Sequence, residues 1–174
     1  MIQSLGEVTL ARSLYESLAP RDVALGDRAY GTYADLALVH QRGADGVFRK
    51  HQSRKSDFKR GERLGKGDCL TTWSRPSRRP QALSPTEFES LPTIMKVREV
   101  HFSVHPKGWW TKSVIVVTTL LDPKAYPKAK LADLYGLRWQ AEVNSEPRMR
   151  KRRPKAFPLM DKPRSVLKQE LETA

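Results

Sequence analysis

The stretch from Asp22 to Lys50 constrains the fold of this chain more than any other, because it reads as strand, helix, strand. Asp22-Val23-Ala24-Leu25-Gly26 has the make-up of a brief strand, and the polar turn Asp27-Arg28-Ala29-Tyr30-Gly31 follows at its carboxyl end. Tyr33 to Arg42 carries apolar residues at helical spacing, and Gly43 is placed to cap that helix. Asp45-Gly46 is a turn signal, and Gly46 to Lys50 reads as a second strand. The product is an α/β unit whose first loop carries an aspartate. A short helix over Leu10 to Leu18, ended by Pro20, precedes it.

The middle of the chain changes character. His51 to Pro92 is rich in Arg, Ser, Gly and Pro, with a strand candidate at Cys69 to Trp73. Val97 to His105 and Thr111 to Leu121 read as two strands joined by a turn at Pro106-Lys107-Gly108. The β-branched run Val114-Ile115-Val116-Val117 fits a strand covered on both faces. Asp122-Pro123 opens a turn, Ala129 to Gln140 is strongly helical, and Glu142 continues that helix. Pro147, Pro154, Pro158 and Pro163 then interrupt any regular pattern, so the helix should stop near Ser145.

The 174 residues amount to one domain, and 39% hydrophobic content allows a real core. The longest apolar stretch, Val114 to Leu121, is far too short to cross a bilayer. The single cysteine, Cys69, excludes an internal disulfide framework and a multi-cysteine zinc site. The first twenty residues show no secretory signal. A soluble, cytoplasmic protein is the expectation. The net charge of +13 is unevenly spread. Gln41 to Pro80 holds 12 Lys/Arg against 4 Asp/Glu, and Glu146 to Lys168 holds 9 against 2. Such basic segments favour a polyanionic partner, most simply duplex DNA held through its phosphates with strong salt dependence. Phosphate contacts position a protein without reading sequence.

Two places could carry chemistry. Tyr135, Arg138 and Glu142 stand at i, i+3 and i+7 and so share one helical stripe. Trp139 and the run Leu131, Leu134, Leu137 are expected on other faces, which turns the stripe toward a cleft; a plain surface ion pair is the competing reading. Asp27, at the carboxyl end of a strand in an α/β unit, lies where such sheets place ligands and catalysts; it could equally be a turn-forming aspartate. Brought together, Asp27 and Glu142 would offer hard oxygen ligands to Mg²⁺ or Mn²⁺. Two such ions can activate a nucleophile and stabilise a leaving oxygen in phosphodiester transfer. Arg138 would then stabilise phosphate charge and Tyr135 donate a hydrogen bond to it. Smaller signals are His101 and His105 on one strand face, Gly65-Lys66-Gly67 as a fragment of a phosphate loop, and Cys69 with no histidine partner in view.

The run Gly26-Asp27-Arg28-Ala29-Tyr30-Gly31-Thr32-Tyr33 resembles the motif around the second catalytic aspartate of DDE transposases of the insertion-sequence-four family. Leu121-Asp122-Pro123-Lys124-Ala125-Tyr126-Pro127 and Leu134-Tyr135-Gly136-Leu137-Arg138-Trp139-Gln140-Ala141-Glu142 resemble that family's approach to its catalytic glutamate. Tyr135, Arg138 and Glu142 fit its signature of Tyr, two residues, Arg, three residues, Glu in register. Arg75-Pro76-Ser77-Arg78-Arg79-Pro80 is similar to its strand-rich insertion.

The resemblance implies an α/β, RNase H-like fold, incomplete in its first strands, with a β-rich insertion between the two acidic motifs. Residues 1–50 would carry the second acid, 51–112 the basic insertion, 113–146 a strand and the glutamate helix, and 147–174 a disordered basic tail. Asp27 and Glu142 become catalytic metal ligands for Mg²⁺ or Mn²⁺, and Tyr135 and Arg138 contacts to DNA phosphate. Arg75, Arg78 and Arg79 become DNA contacts of the insertion. Trp73 either stacks on a displaced base or lies in the core. The implied activity is cleavage and strand transfer at transposon ends in double-stranded DNA, by a homodimer. Two departures stand out. Residues 1–26 hold no counterpart of the family's first aspartate motif, and its signature lysine falls on Met149, between Arg148 and Arg150. They predict a transposase shortened at its start and altered at its end, inactive as an isolated chain, with a non-catalytic DNA-binding remnant as the alternative.

Overall fold

The computed structural model of the protein describes residues 10, 12–51, 53–104 and 112–145. Residues 12–15 are helical, within the expected first helix. The α/β unit follows as β1 (Val23–Gly26), a 3-10 turn at Arg28–Tyr30, α1 (Tyr33–Gln41) and β2 (Asp45–Arg49). β1 and β2 pair in parallel, with Val23 opposite Asp45 and Gly26 opposite Phe48, as a helical crossover requires. Thr32 caps α1 by accepting from the Asp35 N–H at 3.3 Å. Gly43, with φ of 71°, lets the chain leave the helix in a left-handed turn and enter β2.

The remaining elements are β3 (Glu62–Gly65), β4 (Asp68–Ser74), α2 (Pro85–Ser90), β5 (Ile94–Val104), β6 (Lys112–Thr118) and α3 (Lys128–Ser145). Gly65-Lys66-Gly67 closes the β3–β4 hairpin, and the φ of 64° at Gly67 supplies its turn. The run is therefore a turn between strands and opens no helix that could cradle a phosphate. His105, the turn at Pro106-Lys107-Gly108, Met149 and the tail over 147–174 lie outside the described residues.

The six strands of the described residues form one mixed sheet in the order β1-β2-β6-β5-β4-β3. β6 lies antiparallel against β2, with Phe48 opposite Val117, so the strands between the two acidic motifs extend the sheet of the α/β unit. Pairing of that kind satisfies a strand edge that would otherwise leave its backbone groups open.

Alternation along the strands splits the core in two. On one face Phe48, Trp73, Met95, Val97 and Val117 pack with Tyr33, Leu36 and Val39 of α1. On the other, Val47, Val100, Phe102, Val114 and Val116 pack with Leu131, Leu134 and Tyr135 of α3. The β-branched run is thus covered from both sides, Val117 by α1 and Val114 and Val116 by α3.

Candidate active site

Asp27 follows the last residue of β1 with extended backbone angles, φ −81° and ψ −175°. Val23 and Leu25 pack into the α3-side core and Ala24 into the α1-side core. The same alternation carries Asp27 onto the face that α3 covers. Its carboxylate is 44% exposed, and Arg49 Nη1 approaches Oδ1 to 3.9 Å. Arg49 is the last residue of the neighbouring parallel strand and lies on the same face, two positions beyond Val47.

The Asp27 loop is held from both sides. Tyr30 buries its ring in the α1-side core, against which Tyr15 also packs. Gly31 lies against the end of β2, and its carbonyl accepts from the His51 N–H at 3.4 Å. Beyond the loop, the buried Asp35 carboxylate accepts from Arg12 Nε at 2.9 Å and from the Thr32 hydroxyl. Burial pushes the Asp35 carboxyl above its ordinary range, against the opposing pull of Arg12.

On α3, Tyr135 is fully buried, and its ring meets Phe102 edge-on with centroids 6.2 Å apart. It shares the core with Leu131 and Leu134. The stripe expected to look into a cleft, away from the leucines, instead begins in the core. The reason is periodicity: Leu131 and Tyr135 stand four apart, so both face the sheet. Arg138, half-buried, places its guanidinium 5.9 Å from the Tyr135 ring centre. Position 142 lies on the same helix, seven residues after Tyr135.

An exposed carboxylate such as that of Asp27 would offer a divalent cation a hard oxygen donor, with neither thiolate nor imidazole. Among the described residues, no three His, Cys, Asp or Glu side chains are grouped as a metal cluster.

The basic candidates take different places. Trp73 is buried on the α1 side, where its indole N–H donates to Glu99 Oε1 at 3.0 Å and the Arg54 guanidinium stacks 4.2 Å from its ring. Arg75 Nη1 donates to the carbonyls of Phe88, Glu89 and Leu91, each at 3.0 Å, tying β4 to the end of α2. Arg79 donates to the Leu83 carbonyl. Arg78 is exposed. His101 is exposed and shares a 2.5 Å hydrogen bond with Ser113. Cys69 is buried, and burial together with the nearby Glu99 and Asp68 pushes its thiol up, away from nucleophilic use.

Sequence reasoning missed Arg49 and two buried ion pairs. Lys50 Nζ donates to Glu99 Oε2 at 2.9 Å, joined there by the Ser56 hydroxyl at 2.7 Å. Asp68 pairs with Arg98. Only Arg49 had a sequence signal, as a polar residue ending the second strand of the α/β unit beside the aspartate that ends the first.

A mixed six-stranded sheet, an aspartate at the carboxyl end of one parallel strand and a long helix across the same face define an α/β domain of the nuclease-like kind. Residues 3–146 match the transposase DDE domain, and the chain belongs to that family. Membership ties it to DNA transposition and to the DNA cleavage on which transposition depends. No curated protein matches the chain. Among the described residues no helix is long and apolar enough to cross a membrane.

Proposed function

We propose that the chain is a metal-binding part of an insertion-sequence-four type transposase of RNase H-like architecture, with Asp27 and Glu142 as ligands for Mg²⁺ or Mn²⁺. The observation that supports it is the place of Asp27, at the end of a parallel strand and on the face that α3 covers. A bound divalent ion supplies Lewis-acid stabilisation of charge on a phosphodiester. The protein's part is to hold the two carboxylates and to set DNA beside them. Arg138 meets the phosphate next to the cut, steadied by the Tyr135 ring. Arg78, with the other exposed cations of the 51–112 region, follows the duplex backbone. Two carboxylates fall short of the family's three, so the isolated chain binds transposon-end DNA without cutting it.

The test is a binding and nicking assay on terminal-repeat duplex with Mg²⁺ or Mn²⁺, using the chain, Asp27→Ala and Glu142→Ala. The expected result is salt-sensitive binding, no nicking, and Mn²⁺ binding that both substitutions abolish. Mn²⁺ binding indifferent to both would leave a non-catalytic DNA-binding protein. Nicking by the isolated chain, lost in Asp27→Ala, would overturn the inactivity while upholding the metal site. Binding that ignores salt would refute the DNA reading.

A further inference from the structure

The buried Asp68–Arg98 pair reaches beyond its own strands to α3. Arg98, on β5, is fully buried, and its Nε and Nη2 donate to Asp68 Oδ1 and Oδ2 at 2.8 and 2.6 Å. The remaining nitrogen, Nη1, donates to the Tyr126 carbonyl at 2.6 Å. Tyr126 belongs to the turn that leads into α3, where its own N–H donates to the Asp122 carbonyl at 2.9 Å. Two residues on, at the first residue of α3, Lys128 Nζ donates to the Lys66 carbonyl in the β3–β4 turn at 2.6 Å. That turn is fixed to β5 by the His101 N–H, which donates to the Gly67 carbonyl at 2.7 Å. The start of α3 is therefore tied to the β5–β4–β3 end of the sheet at two points, in addition to the apolar packing of Leu131, Leu134 and Tyr135.

A buried ion pair is weak evidence for stability, because an apolar pair of similar size often holds strands as well. An apolar pair has no directional bond to offer a carbonyl, whereas a guanidinium fork bonded on three nitrogens sets both distance and orientation. The start of a helix is where that matters. A slip of one residue there would advance every later position by about 1.5 Å and turn it by about 100°.

We propose that Asp68 and Arg98 are positioning residues that set the height and rotation of α3, and so where Glu142 stands relative to Asp27. This rests on the metal-site reading above, and the experiment separates the two. Hydrogen exchange and Mn²⁺ binding are measured on the full chain and on Arg98→Lys, Asp68→Asn and Lys128→Ala. Arg98→Lys keeps the charge but cannot bond Asp68 twice and reach the Tyr126 carbonyl as well. Exchange over 128–138 should quicken by about tenfold while the amides of β5 and β6 hold. Mn²⁺ affinity should fall by about ten- to a hundredfold. Lys128→Ala removes only the outer tie and should show the same local pattern in weaker form, which keeps the proposal open to test if Arg98→Lys fails to fold. Unchanged exchange in α3, or equal quickening everywhere, overturns the proposal. So does local quickening with undiminished Mn²⁺ affinity. A chain that binds no Mn²⁺ at all refutes the metal site, while unselective or unchanged exchange still refutes the positioning role by itself.

Discussion

Gly31 lies so close to Arg49 that a Cβ added to it would stand 2.0 Å from the Arg49 carbonyl oxygen. No side chain fits there without moving backbone. The loop that begins at Asp27 is thereby pressed against the end of β2, which brings Asp27 and Arg49 within 3.9 Å. Gly31→Ala should push that loop off the strand end at a cost of about 1–3 kcal/mol, the range for overpacking a tight contact. Chemical denaturation measures the cost, and Mn²⁺ binding should weaken with it.

Asp27→Ala should behave in the opposite way. Its carboxylate is well exposed and its pairing with Arg49 is long, so the pair contributes about 0–1 kcal/mol. The variant should keep its unfolding midpoint while losing Mn²⁺ binding. A large loss of stability would show that Asp27 serves the fold.

Arg75 and Arg78 are three residues apart and should separate cleanly. Arg75→Ala removes a charged donor from three carbonyls at the end of α2, of which that of Phe88 keeps the Leu91 N–H, and should lower stability by about 1–3 kcal/mol. Arg78→Ala should leave stability alone and, if it meets a phosphate, reduce the slope of log affinity against log salt by about 1. Thermal melts and DNA titrations at several salt concentrations distinguish them.

Glu99 is the acceptor for Lys50, Ser56 and Trp73 inside the α1-side core. Glu99→Leu should cost about 3–5 kcal/mol, because Lys50 is left as a buried, unpaired charge. Adding Lys50→Met should recover part of that loss by removing the buried charge, while the Ser56 hydroxyl and the Trp73 N–H still lack their acceptor. A double-mutant cycle in urea reads the coupling directly.

Ser84 and Glu87 form a capping box at the start of α2. Hydrogen bonds from Ser84 hold the Glu87 carboxyl below its ordinary value of 4.5. A depressed acid stabilises the fold above its unfolded pKa, and that support fades as pH falls through the folded one. Ser84→Ala should therefore cost about 1 kcal/mol near neutrality and less in acid. Melting curves at both pH values check the sign.

The parts of the fold legible in the sequence were those fixed by neighbours along the chain. The β1–α1–β2 unit, the strands around Cys69 and Val114 and the helix over Ala129 to Gln140 appear where local spacing put them. Asp27 ends its strand as expected. The fate of the side chains on α3 was harder to read. Spacing from Tyr135 to Arg138 and Glu142 suggests a polar stripe; spacing from Leu131 places Tyr135 in the core.

By itself the sequence determined the β1–α1–β2 unit, the strands around Cys69 and Val114, the helix over Ala129 to Gln140, the aspartate at the end of β1, and the family to which the chain belongs, because caps, turns and periodicity act over a few residues; β3 and α2 were not legible in it. Only the tertiary structure decided that β6 completes the edge of β2, that Trp73 gives its N–H to Glu99, and that Arg98 reaches from the sheet to the start of α3. Those partners lie from 26 residues apart, for Trp73 and Glu99, to 71, for Val47 and Thr118. No local pattern encodes such a distance; packing and the satisfaction of buried polar groups select it.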